Sequence, residues 1–240
     1  MQRAGDTRTS EEPHIDPLRS GESTPWEDRG GRGLIGAFCA TCIGGIVHPG
    51  RLSTSIRRPE TTTDATSFAL GCGLLWGIAW AINSSIYYFI KIRNPEIDPN
   101  GQLYIVGTVL QTACAVPCLW LVLRLVTNLF RKLIASEARF RFPRALIYNI
   151  FAYCLGPSLL ALIPFLGIPL AVIWIACTMI AVAGSRLRLP TKTAIICTII
   201  AVGAGLIIFI AAYFAVWLAW SQIFGGTLVL VEHTSTPTNP

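Results

Sequence analysis

The chain has 240 residues, of which 52% are apolar and 13% charged, against about 25% charged residues in an average soluble domain. That balance excludes an ordinary cytosolic globule. The net charge of +6 does not mark a nucleic-acid binder: the Lys and Arg flank apolar runs, and the basic stripe that phosphate neutralisation needs is missing.

In chain order, Met1 to Arg32 is rich in Pro, Gly, Ser, Thr and charge. It cannot bury enough apolar area to offset chain entropy, and a disordered cytoplasmic tail over 1–32 is predicted. With no apolar h-region in it, membrane insertion is expected to use an internal span as its signal. Gly33 to Gly50 is uncharged, with Ile35, Phe38, Cys42 and Ile46 at near-helical spacing and glycines on the other side. It reads as an N-terminal helix lying in the membrane interface or packed on the bundle, followed by a basic segment to Arg58. A weak first span is the alternative.

Ser67 to Ile90 is the first span, about 36 Å of helix against a hydrocarbon core near 30 Å. Leu103 to Leu123 is the second, with Arg124 expected to snorkel from its end. Ala145 to Ser185 is a charge-free run of 41 residues, about twice the helix length a bilayer covers, so it must fold back on itself. Pro164, Gly167 and Pro169 mark the turn, dividing it into a third span to about Ile163 and a fourth from about Ile168 to Gly184. The fifth span is Thr193 to about Val216. Trp217 and Trp220 are expected as interfacial anchors, and Gly225-Gly226 to end any helix. The predicted fold class is all-α: a polytopic membrane helical bundle of five spans within 67–220, preceded by the interfacial helix of 33–58 and followed by a short tail over 221–240.

Sixteen of the 19 Lys and Arg lie before the first span, between the second and third, or between the fourth and fifth. The positive-inside bias therefore predicts a cytoplasmic N-terminus and an extracytoplasmic or lumenal C-terminus. Arg139, Arg141 and Arg144 alternate with Phe140 and Phe142. The simpler reading is a snorkelling edge, and the sharper one an anionic-lipid or partner-docking face.

No catalytic, cofactor or metal residue is predicted. The five spans hold no Asp, Glu, His or Lys, so the acid, base and ligand groups of intramembrane catalysis are lacking. Six of the eight cysteines fall in spans as small packing residues, and Cys39 and Cys42 form a lone C-x-x-C where structural zinc wants four ligands. The intramembrane polar candidates are Asn83, Gln111 and Asn149. They read as interhelical hydrogen-bonding groups or, alternatively, as the lining of a small-solute or lipid conduit. Gly71, Gly73, Gly77, Gly156, Gly203 and Gly205 read as close-packing positions.

The stretch from Tyr153 through Pro157, Pro164-Phe165 and Gly167 to Trp174 and Thr191-Lys192 resembles the Yip domain of the Ypt/Rab-interacting membrane proteins, in particular its bacterial branch. The family pattern is a Tyr four residues before a Pro, an apolar run into a Pro-Phe-x-Gly hairpin, a Trp in the next span, and Thr-x-Lys-like residues opening the last. The match is good from Arg144 to Ala204 and loose from Leu34 to Val216. The resemblance implies five membrane helices, a cytoplasmic N-terminus and a non-enzymatic role in membrane organisation, trafficking or scaffolding. It singles out Tyr153, Pro157, Pro164, Gly167, Trp174 and Lys192. Eukaryotic relatives act in vesicle traffic and bind small GTPases, so that partner enters by family analogy alone. The expected partners are the bilayer, other membrane proteins or a second copy of the chain, and the expected location is a bacterial cytoplasmic membrane.

Overall fold

A computed structural model describes residues 24–55, 61–87, 102–134 and 142–234, without the side chains of 53, 54, 102–105, 111, 213, 217 and 220–234. Among the described residues every regular element is helical. A 3-10 turn at Arg29–Gly31 precedes α1 (Gly33–Val47) and α2 (Pro49–Thr54). Then come α3 (Thr63–Tyr87), α4 (Gln102–Leu133), α5 (Arg144–Tyr153), a 3-10 segment (Gly156–Leu162), α6 (Gly167–Ser185) and α7 (Thr191–Thr234). Among the described residues, five stretches are long and apolar enough to cross a membrane: Thr63–Ile86, Val106–Leu133, Arg144–Leu162, Gly167–Ser185 and Thr191–Val216.

Small residues bring the first two spans together. A Cβ on Gly73 would lie 3.0 Å from Val116 Cα, and one on Gly77 2.9 Å from the Thr112 carbonyl oxygen. The pairing 73 with 116 and 77 with 112 makes α3 and α4 antiparallel. The third span runs parallel to α3, since Tyr148 meets Thr66 and Ser158 meets Trp76. Gly205 sets α7 against Val122 and Val126 of α4, whereas Gly203 faces open space. One end of the bundle is basic, with Arg29, Arg124 and Arg144. The other carries the 163–166 turn, where Phe165 takes a left-handed backbone (φ 64°).

Four expectations change. The third span is not one helix. It breaks after Tyr153 and continues as 3-10 from Gly156, because Pro157 has no N–H to donate and its ring opposes the α-helical turn before it. Irregular backbone at this depth survives because protein surrounds it: Gly156, Pro157, Ser158 and Ala161 are all buried.

The second span does not stop at Arg124. Residues 125–130 carry no breaking signal, so α4 continues to Leu133 and buries Val126 and Phe130 beyond it. Residues 24–32 are ordered against the bundle rather than tail-like, with Trp26 5% exposed. Finally, α7 passes through Gly225-Gly226 and ends at Thr234. Each Gly costs a helix interior about 1 kcal/mol relative to Ala, which a long continuous helix can carry.

Helix α1 packs on the bundle, crossing it from α3 to α6. Phe38 lies against Gly71, and the backbone of Thr41 and Cys42 against Gly156. At its end, Trp174 Nε1 donates to the Ile46 carbonyl at 3.1 Å. Its outer face carries exposed Leu34, Ile35, Ile43 and Val47, so both faces of α1 are apolar.

Candidate functional site

Among the described residues, three clusters of polar groups each hold separate elements together. At the basic end, Trp26 Nε1 donates to the Asp64 carbonyl at 2.9 Å and to Ser67 Oγ at 3.2 Å. Arg29 pairs with the Asp64 carboxylate and stacks on the Trp26 ring at 4.3 Å. Tyr153 Oη donates to Glu27 Oε1 at 3.4 Å. The aromatic rings of Trp26, Phe38, Phe68 and Tyr153 form a continuous chain of contacts beneath. Tyr153 is thus the point where the broken span grips the segment before α1. Sequence reasoning missed this segment, although Trp26, an aromatic residue within a polar stretch, was its signal.

The second cluster lies at mid-depth. Trp76 Nε1 donates to Ser158 Oγ at 2.9 Å, both buried. Cys72 contacts Cys42 and Ser158, joining α1, α3 and the 3-10 segment where the third span breaks. All eight cysteines are free thiols. Among the described residues no group of three or more His, Cys, Asp or Glu is placed to hold a metal ion.

The third cluster is at the hairpin end. The Phe165 backbone N–H donates to Asn83 Oδ1 at 2.8 Å, while Asn83 Nδ2 donates to the Ala79 carbonyl at 2.8 Å. Asn83 therefore caps the turn and holds Phe165 in its left-handed conformation. Pro164 opens that turn. Gly167 closes it, since a Cβ there would lie 2.3 Å from the Leu160 carbonyl oxygen.

The three intramembrane candidates do not converge. Asn83 is at the hairpin end. Asn149, 2% exposed, is near the basic end, where its Nδ2 donates to the Thr61 carbonyl at 2.8 Å. The Gln111 side chain lies outside the described residues. Of the other predicted positions, Pro157 sits at the helix break, Trp174 anchors α1, and Lys192 is exposed in the first turn of α7.

Between α3, α4, α6 and α7 lies a cavity of ≈ 90 Å³ walled by residues such as Leu119, Val126, Met179 and Phe209. Trp76 also faces it, with its N–H already given to Ser158. A hydrophilic solute entering there would lose its water without gaining hydrogen bonds. Comparison with protein-family models, with curated proteins and with solved structures found no match.

Proposed function

We propose that this chain is a non-enzymatic, multi-pass membrane protein of the Yip type that organises the membrane or scaffolds protein partners. In this reading its N-terminus is cytoplasmic and it resides in a bacterial cytoplasmic membrane. The observation that carries it is how the intramembrane amides are used. Asn83 and Asn149 bond to backbone groups of other elements at opposite ends of the bundle, and the cavity between them is apolar. Polar side chains engaged in this way fix a shape, and a fixed shape with lipid-facing apolar surface suits partner assembly better than solute passage.

The test is twofold. Cross-linking and co-purification at native abundance is expected to recover stable membrane-protein partners or a second copy. Proteoliposomes are expected to show no solute flux above empty vesicles. Flux that disappears when Asn83, Gln111 and Asn149 are replaced by Leu would establish the conduit reading instead, and a solitary chain in cross-linked membranes would contradict scaffolding.

A further inference from the structure

Arg124 occupies an unusual place for a charge. It lies within the apolar stretch Val106–Leu133, nine residues before the end of α4. It shares an exposed face with Leu121 and Leu125. A guanidinium on that face is costly in hydrocarbon unless it reaches the headgroup layer or meets an anion. Its guanidinium carbon lies over the Trp120 ring, 4.2 Å from the centroid, a cation–π contact that uses none of the N–H groups a bidentate pair needs.

Beside it is a recess of ≈ 340 Å³ lined by Thr62, Arg124, Thr127, Arg144, Ala145 and Tyr148. One water needs about 10–15 Å³, so there is ample room for a tetrahedral oxyanion. The hydroxyls are largely engaged: Thr127 donates to the Leu123 carbonyl, and Tyr148 shares a hydrogen bond with Thr66. The two guanidinium groups are therefore the recess's main donors. Neither has a carboxylate partner among the described residues. Glu137, the one acidic residue in the 134–143 connection, lies outside them.

We propose that this recess binds the phosphate of an anionic glycerophospholipid, clamped between Arg124 and Arg144 in the leaflet at the basic end. Two features favour a lipid over a free phosphate ester. The recess adjoins the exposed leucines of α4. One helical face further round, Leu125 and Leu129 line a groove of ≈ 230 Å³ against Ala204 and Ile208 of α7, which offers an acyl chain an apolar path. Paired guanidinium groups match phosphate oxygens bidentately, and surrounding hydrocarbon strengthens the bond.

The experiment is native mass spectrometry of the full chain in mild detergent. The probes are phosphatidylglycerol, diacylglycerol with the same acyl chains, and glycerol 3-phosphate as soluble competitor. Phosphatidylglycerol is expected to be retained about tenfold more than diacylglycerol, with little displacement by the competitor. The double variant Arg124→Gln/Arg144→Gln is expected to lose that preference. Arg188→Gln in the α6–α7 loop, which matches the charge change of Arg144→Gln alone, is expected to keep it. Arg144→Gln alone, at the exposed start of α5, tests the site without altering a span and is expected to lose at least about threefold. Unchanged retention in the double variant or in Arg144→Gln overturns the site. Ready displacement by glycerol 3-phosphate overturns the lipid assignment.

Discussion

The third span and α7 solve the same problem in opposite ways. Over 18 apolar residues of the third span, 78% are buried inside the protein, against 28% over 18 apolar residues within Thr191–Val216 of α7. The buried span is short, broken and tied by side-chain hydrogen bonds. The exposed one is an uninterrupted helix with Ile196, Ile199, Ile207 and Ile210 more than half exposed. Lipid offers no hydrogen bonds, so a span facing it must satisfy its own backbone, while one enclosed by protein can borrow partners from neighbours. Irregularity in this fold therefore marks the centre.

If that contrast is right, substitutions in the broken span, or at residues packed directly on it, should cost far more than those on α7. Gly167→Ala has the largest expected effect. Its Cβ would meet two backbone carbonyls, Leu160 at 2.3 Å and Ala161 at 2.8 Å, and no flexible side chain can yield. A loss of about 3 kcal/mol is expected in reversible unfolding from mixed micelles. Trp76→Phe follows at about 1.5 kcal/mol, since it removes the donor to buried Ser158 and enlarges the central cavity. Thermal unfolding with and without Ser158→Ala would isolate the hydrogen bond, because the two losses should not add.

Asn149→Leu is expected to cost about 1 kcal/mol and to loosen the chain entering α3, read as faster amide exchange near Thr61. At the small end, Ile207→Val on the lipid face should change stability by less than about 0.5 kcal/mol. A large effect there would mean that α7 is covered by another copy or partner.

The outline of this fold was legible because charge is so costly in lipid. Uncharged runs of 41 and 39 residues define where spans lie, and Pro164 with Gly167 mark the turn. What was not legible depends on neighbours. Gly156-Pro157 is an ordinary pair until Cys42 approaches within 3.2 Å of the glycine's missing Cβ. Trp26 sits in a stretch whose composition favours disorder, and only the Asp64 carbonyl and Ser67 hydroxyl give its indole N–H a partner. Arg124 looked like a helix end because it is the charge that closes the uncharged run after Asp98, yet the largely apolar residues beyond it continue the helix. The polar candidates Asn83 and Asn149 were found by residue type, but their separation to opposite ends came from the packing.

The most direct test of the central claim is photolabelling with a membrane-dissolved diazirine, read residue by residue by mass spectrometry. Label is expected on Ile196, Ile199, Ile207 and Ile210 of α7 and essentially none from Leu146 to Tyr153. Equal labelling of the two stretches would place the broken span against lipid and contradict the account.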